Sequence, residues 1–144
     1  MFGDTIINGE SILNLKNNEI KLPSFTHVLN DNSIYILYMR GKEKIVVCSK
    51  IEFESIIEEW IICLTKYFES KNMKNMRANS QAYHIINKIF IYDEIKIKKG
   101  KIIKIPAVLC ENLLLKDSVY VIGNENRLEI YKDKKTYILT KKNK

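Results

Sequence analysis

The chain has 144 residues, a formal net charge of +7 and 46% hydrophobic residues, which excludes a disordered tail and predicts one compact body. The charge is uneven: residues 1–72 carry 8 Lys and Arg against 10 Asp and Glu, and residues 73–144 carry 16 against 7. A basic half beside a slightly acidic half indicates either an anionic partner for one face or a lysine-rich solubilising surface.

The cysteines and the N-terminus predict a cytoplasmic protein. Cys48, Cys63 and Cys110 form no CxxC pair, and each is predicted to be a small buried hydrophobic residue. The N-terminus has no basic region followed by an apolar run, as a secretory signal would, and no apolar stretch approaches the roughly 20 residues of a membrane span. We therefore expect a reducing, cytoplasmic location and no membrane partner.

The N-terminal third predicts four short strands, because apolar residues alternate between polar turns. The strands are expected over residues 11–15, 20–22, 34–39 and 45–48, with a polar turn at Lys16–Asn18, a helical turn at Phe25–Leu29 and a turn at 40–43.

A long amphipathic helix follows. Ser49 with Glu52 three residues later forms a capping box. Apolar residues then recur at helical spacing to about Ser70, at Phe53, Ile56, Ile57, Trp60, Ile61, Leu64, Tyr67 and Phe68. Trp60 is interpreted as a core anchor rather than part of a ligand site. A polar connector over 70–79 and a second helix over Ser80–Phe90 complete an antiparallel helical hairpin.

The C-terminal third repeats the order of the first. Leu22-Pro23, the segment Asp31–Ile36 and the apolar run Ile45–Cys48 correspond to Ile105-Pro106, Asp117–Ile122 and Leu128–Tyr131. Strands are predicted over 91–97, 102–105, 119–122 and 128–131, with turns at 98–101 and 123–126 and an apolar stretch over 108–115. Asp133 is expected to cap a final helix through Leu139. A duplicated β unit predicts two halves related by a pseudo-twofold axis.

Lysines concentrate at one turn of the second unit. Lys96, Lys98, Lys99, Lys101 and Lys104 lie within nine residues around Gly100, and the corresponding segment of the first unit holds Lys16, Asn17, Asn18 and Lys21. We interpret Lys98, Lys99, Lys101, Lys104 and these four residues as DNA contacts, since lysines neutralise phosphates and asparagines bond adenine or phosphate. The alternatives are a lysine-protected sheet edge and, for Asn17-Asn18, left-handed turn geometry.

Catalytic chemistry is not indicated. His27 and His84 lie in different elements beside apolar neighbours, and Glu58 and Glu59 diverge on the long helix. No phosphate-cradling glycine loop or metal-ligand spacing is present. We expect no enzyme activity, no cofactor or metal site and no small-molecule substrate.

The ordered set of elements resembles the MraZ family of bacterial transcriptional regulators, which contain two SpoVT–AbrB-type swapped-hairpin repeats. The resemblance rests on Gly100–Pro106, on Gly123 followed by Leu128–Tyr131, on Ile45–Cys48 leading into Glu52-Phe53, and on Met1-Phe2-Gly3. It implies an α+β fold of two pseudo-symmetric swapped-hairpin β repeats, double-psi-barrel-like, joined by a helical hairpin. The divisions are 8–52 for the first repeat, 53–90 for the hairpin and 91–134 for the second repeat.

The same resemblance implies promoter binding at short direct repeats by a ring-like, nucleoid-associated homo-oligomer, controlling genes of cell division and wall synthesis. The family carries an acidic residue and, four positions on, an arginine in each DNA-contacting loop. Here Leu15 and Glu19 occupy the first pair of positions, and Ile97 and Lys101 the second. We therefore expect altered or weakened sequence preference. The alternatives are a scaffold that has lost operator binding and acts through protein contacts, and an antitoxin-like partner binder.

Overall fold

A computed structural model describes residues 9–23, 33–124 and 126–142. Within these residues the chain forms eight strands and four helices, an α+β fold with antiparallel strands. The strands are β1 Gly9–Asn14, β2 Glu19–Lys21, β3 Ser33–Met39, β4 Lys44–Cys48, β5 Phe90–Lys96, β6 Ile102–Lys104, β7 Ser118–Asn124 and β8 Arg127–Tyr131. The helices are α1 Lys50–Ser70, α2 Asn75–Ile89, α3 Ala107–Asn112 and α4 Lys134–Lys142. The predicted turn at Phe25–Leu29, His27 and the Met1-Phe2-Gly3 start lie outside the described residues.

The six-stranded sheet has an internally symmetric strand order, β1-β7-β8-β4-β3-β5, and β2 pairs separately with β6. Exchanging β1–β4 with β5–β8 reproduces the same order in reverse. The approximate axis passes between Val46 and Glu129, which pair across the central strands β4 and β8. Each edge strand pairs with the other half of the chain, β1 with β7 and β5 with β3. The repeated order found in the sequence therefore corresponds to two interleaved halves of one sheet.

Two apolar layers cover the two faces of this sheet. On one face, β2, β6 and α3 bury their apolar side chains against the sheet interior, through residues that include Ile20, Leu22, Ile103, Ile105 and Leu109. On the other face, α1 and α2 pack on β3, β4 and β5, with Leu37, Val46, Ile56, Ile86 and Phe90 at the contact. The β2–β6 pair and the helical hairpin α1–α2 therefore lie on opposite sides of the molecule.

The helix that follows each half packs on the same kind of aromatic residue. Phe53 of α1 stacks on Tyr35 of β3, with ring centroids 4.4 Å apart. Tyr137 of α4 contacts Tyr120 of β7, with centroids 5.3 Å apart. Since α1 follows β4 as α4 follows β8, α4 is the shorter counterpart of α1. The approximate symmetry therefore extends beyond the strands.

A charged residue lies at the centre of the sheet, where Val46 is its symmetry counterpart. Glu129 is 2% exposed, and its Oε2 accepts a hydrogen bond from Lys44 Nζ at 3.0 Å. Its Oε1 accepts from the Tyr131 hydroxyl at 2.9 Å. Burial, together with the neighbouring Glu129 carboxylate, raises the pKa of Tyr131, so this hydroxyl stays a donor. The carboxylate is thus compensated inside the fold.

The long helix forms as the sequence predicts, from the Ser49 cap to Ser70. The Ser49 hydroxyl accepts from the Glu52 backbone N–H at 3.3 Å. The Glu52 carboxylate binds Arg127 at 2.9 Å, which ties the first turn of α1 to the start of β8. The helix ends before Asn72, whose φ is 69°.

The second helix and a third one differ from expectation. α2 begins at Asn75 rather than Ser80, because Ala78 packs with Ala82 and Ile86 at four-residue intervals against α1. The side chains between Ala78 and Ala82 are polar, so the apolar spacing of the sequence does not predict the first turns of α2. α3 follows Pro106, in a segment for which only an apolar stretch was predicted.

Two other predictions are wrong for the chain as the structure describes it. Trp60 is 37% exposed and meets Phe90 edge-on at 5.7 Å, so it covers the rim of the α1–sheet contact rather than anchoring the core. Cys63 is exposed, whereas Cys48 and Cys110 are buried as predicted. None of the described helices is both long and apolar enough to cross a membrane.

Candidate nucleic-acid interface

The first candidate loop is a two-residue hairpin turn between β1 and β2. Lys16 and Glu19 exchange both backbone hydrogen bonds, at 2.9 and 3.1 Å. Asn17 and Asn18 have φ of 54° and 64°, the left-handed pair that a type I′ turn requires and that asparagine tolerates best after glycine. The turn interpretation of Asn17-Asn18 is therefore confirmed, and the turn directs Lys16 and Asn17 into solvent.

The second candidate loop, between β5 and β6, is one residue longer. Lys98 and Ile102 exchange backbone hydrogen bonds at 2.8 and 3.3 Å. Gly100 and Lys101 have φ of 83° and 60°. Glycine adopts the first of these two left-handed conformations without steric strain, and Lys99 lies exposed at the turn.

Strands β2 and β6 hold the two loops together as one antiparallel ribbon. Glu19 pairs with Lys104, Ile20 with Ile103, and Lys21 with Ile102. Ile20 and Ile103 are 2% and 0% exposed, so the ribbon is anchored in the core at its centre. Rigid placement of both loops follows from this shared anchor.

Backbone hydrogen bonds extend the ribbon past the strand ends and fix where the loops lie. Leu22 N–H donates to Lys101 O at 2.8 Å, and Ile105 N–H donates to Asn18 O at 2.7 Å. Asn18 and Lys101 are therefore equivalent positions at opposite ends of the ribbon, separated by four residue steps, or about 13 Å along it. The strand pairing makes Glu19 equivalent to Ile102. The resemblance to the family placed Glu19 and Lys101 at the same position of the two loops, which is one residue out of step with this pairing.

All eight residues predicted as DNA contacts lie on this ribbon and its loops. Seven of them are exposed and Asn18 is half-buried. We call the following residues the basic patch: Lys16, Asn17, Asn18, Lys21, Lys98, Lys99, Lys101 and Lys104, with Glu19 between them. Six lysines against one glutamate make it strongly electropositive, and it lies on the side of the sheet opposite the helical hairpin.

Glu19 is the acidic residue of the basic patch, and its contact with Lys98 was not predicted from the sequence. Its Oε2 accepts a hydrogen bond from Lys98 Nζ in an ion pair across the ribbon. That hydrogen bond, with the charges of Lys98 and Lys104, holds the pKa of Glu19 below its usual value, so the carboxylate stays ionised. Because the partners lie 79 positions apart, only the β2–β6 register discloses this contact.

A shallow depression borders the patch beneath Asn18. Its volume is about 360 Å³, and its lining includes Cys110, Glu111, Leu114 and Lys116. Burial raises the pKa of the Cys110 thiol, which makes it a poor nucleophile. No group of three His, Cys, Asp or Glu suited to a metal ion occurs in residues 9–23, 33–124 and 126–142.

The helical hairpin presents a different surface. Large apolar side chains remain exposed along it, among them Ile51 at 83%, Tyr67 at 55%, Met76 at 85% and Tyr83 at 53%. Isolated exposed residues of this kind are common, whereas a contiguous set of them forms a surface suited to contact with another protein.

No protein-family model matches the chain, and none of the curated protein sequences matches it. Function is therefore inferred from the described residues and their geometry.

Proposed function

We propose that this chain is a DNA-binding transcriptional regulator of the MraZ type, acting in the cytoplasm on the nucleoid as a homo-oligomer that contacts promoter direct repeats. We also propose that its two halves are swapped-hairpin repeats of the double-psi-barrel kind. The pairing of each edge strand with the opposite half supports that assignment. The observation that carries the functional proposal is the β2–β6 pairing, which joins both lysine loops into one surface.

The chemistry of the basic patch matches a duplex backbone. Lysine ammonium groups neutralise phosphates as point charges and release counterions, which drives association. The loops lie at the two ends of a ribbon about 13 Å long, close to the roughly 12 Å width of a major groove. Lysines at both ends can therefore reach phosphates on the two walls of one groove.

The residue types of the patch favour weak base discrimination. Lysine lacks the planar fork with which arginine bonds guanine at two points. Neither loop contains an arginine, and the resemblance to the family places Lys101 at the arginine position of the second loop. We infer that phosphate contacts supply most of the affinity, with sequence preference altered relative to the family.

A second candidate function is a scaffold that acts through protein contacts without operator binding. The exposed apolar side chains of the helical hairpin favour it, as does the carboxylate of Glu19 within the basic patch. The same hairpin surface suits self-association, so it is compatible with the first candidate as well.

A fluorescence-anisotropy titration separates the two candidates. The chain is titrated into a labelled A·T-rich duplex at 50 and 200 mM salt, beside a triple variant carrying Lys98→Ala, Lys99→Ala and Lys101→Ala. We expect salt-sensitive binding that the triple variant weakens several-fold or more, because three positive charges leave the patch.

A matched variant controls for net charge. Changing Lys66, Lys74 and Lys88 to Ala removes the same charge from exposed positions of the helical hairpin, on the opposite side of the sheet. This control should bind DNA nearly as the unmodified chain does. Absence of binding at 50 mM salt, or equal losses in the two triple variants, would refute the DNA proposal and favour the scaffold.

A further inference from the structure

Glu19 is the one acidic side chain of the basic patch, and it sits near its centre. It opens β2, pairs across the ribbon with Lys104 and forms an ion pair with Lys98. About a third of its side chain is exposed, with a relative accessibility of 32%. Within the described residues, hydrogen bonding to Lys98 engages Oε2, and Oε1 has no such bond. One carboxylate oxygen is thus available to a ligand on the patch.

A carboxylate in this position cannot serve as a phosphate contact. Like charges repel, so a phosphate placed against Glu19 would weaken the binding of the chain to DNA. At a base edge the same group is useful, because Glu and Asp accept a hydrogen bond from the N4 amino group of cytosine in the major groove. Phosphate contacts position a protein, whereas contacts of this second kind distinguish sequences.

Lys98 lies beside Glu19 and offers the complementary chemistry. An ammonium group has three donors, so Lys98 can keep its hydrogen bond to Glu19 and donate to a second acceptor. In the major groove a C·G pair presents the cytosine N4 donor next to the guanine O6 and N7 acceptors. Side by side, a carboxylate acceptor and an ammonium donor match that edge, because the ammonium group meets two adjacent guanine acceptors. In A·T the adenine N6 donor lies between two single acceptors, adenine N7 and thymine O4, so the ammonium group meets only one of them beside the carboxylate.

We propose, as a deepening of the proposed DNA-binding function on which it rests, that the Glu19–Lys98 ion pair recognises one C·G base pair in the major groove. Glu19 is then the specificity-determining residue of the patch, while the remaining lysines hold the backbone.

The approximate symmetry of the chain makes this contact one-sided. Glu19 is equivalent to Ile102, and Lys98 is equivalent to Lys16. At the second ribbon position Ile102 therefore replaces the carboxylate with an apolar side chain. A single chain consequently has one C·G contact and a fixed orientation on its site, which is the property that direct repeats, rather than inverted ones, require.

Selection from a pool of duplexes with a randomised central segment tests the proposal. The unmodified chain should enrich C·G at one position, with discrimination of roughly tenfold over other pairs. Glu19→Gln keeps the shape but replaces one acceptor oxygen with an amide donor, so it should lose that preference or move it toward A·T, since glutamine bonds adenine. Its overall affinity should rise, because a negative charge leaves the patch.

Glu54→Gln is the matched control, since Glu54 is an exposed acid on α1, remote from the ribbon. It should select the same sequences as the unmodified chain. Salt-sensitive binding without base preference, or an unchanged preference in Glu19→Gln, would overturn this inference and leave the proposed function standing. No salt-sensitive binding by any variant would instead overturn the proposed function itself.

Discussion

The two lysine loops should contribute separately and additively to the salt dependence of DNA binding. The patch holds six lysines, one of which is engaged by Glu19. Five phosphate contacts give a slope of log affinity against log salt of about −4.5, so raising salt from 50 to 200 mM should weaken binding roughly 500-fold. Each lost contact should make the slope shallower by about 0.9.

Two matched double variants measure the share of each loop. Lys16→Ala with Lys21→Ala alters the first loop and β2, and Lys99→Ala with Lys101→Ala alters the second. Each pair should make the slope shallower by about 1.8, and all four changes together should leave a slope near −0.9. Anisotropy titrations at five salt concentrations supply the slopes.

A change of slope in one pair but not in the other would show that a single loop contacts DNA and that the ribbon does not present both loops to one duplex. Circular dichroism of each variant checks that the fold is intact, since all four side chains are exposed.

Three further outcomes follow from the fold. Lys44→Met should lower the free energy of unfolding, measured in urea, by about 2–3 kcal/mol, because Glu129 loses a charged partner while buried; a loss under about 0.5 kcal/mol would contradict the pairing. Cys63 should react at once with a thiol reagent while the other two cysteines react only on unfolding; three fast thiols would argue against the described core. Hydrogen bonds from Thr136 hold the pKa of Asp133 below its usual range, so the Asp133 cap stabilises the fold above about pH 4 and this stabilisation is lost as pH falls through the lowered pKa. Asp133→Ala should therefore lower the free energy of unfolding by about 1 kcal/mol at pH 6 and by progressively less in acid. An equal loss at pH 6 and in acid would contradict this role of the cap.

The sequence predicted the elements whose signals are local. The Ser49 cap and the apolar spacing through Phe68 defined α1 almost to the residue. The two asparagines and Gly100 marked the loops, since left-handed backbone favours those residue types. Helix α2 was placed five residues late, because Ala78 is the buried residue of its first turns and its neighbours are polar.

Pairings between distant segments were not predictable from one sequence. The repeated order of elements suggested two related halves, but not that β1 would pair with β7 or β2 with β6. The eight candidate contacts were selected from the lysine cluster around Gly100 and its counterpart in the first repeat. Their place on one ribbon and the Glu19–Lys98 contact depend on the strand register, which the sequence does not show. Exposure of Trp60 was likewise missed, because a helical stripe wider than its partner surface leaves some apolar residues at the rim.

The placement of the patch explains how a small chain can present charge rigidly. Ile20 and Ile103 anchor the ribbon in the core, and truncating either to Ala is expected to cost about 2–5 kcal/mol in stability. Glu19 reduces the repulsion among the six lysines, and burial of the two isoleucines offsets what remains. The helical hairpin lies on the other face of the sheet.

Amide hydrogen exchange with and without duplex DNA reports on both loops in one measurement. A saturating duplex should protect residues 15–21 and 98–104 together and leave the exchange of residues 50–89 unchanged. Protection of only one loop, or of the helical hairpin in place of the ribbon, would contradict the claim that the two loops form a single DNA-binding surface.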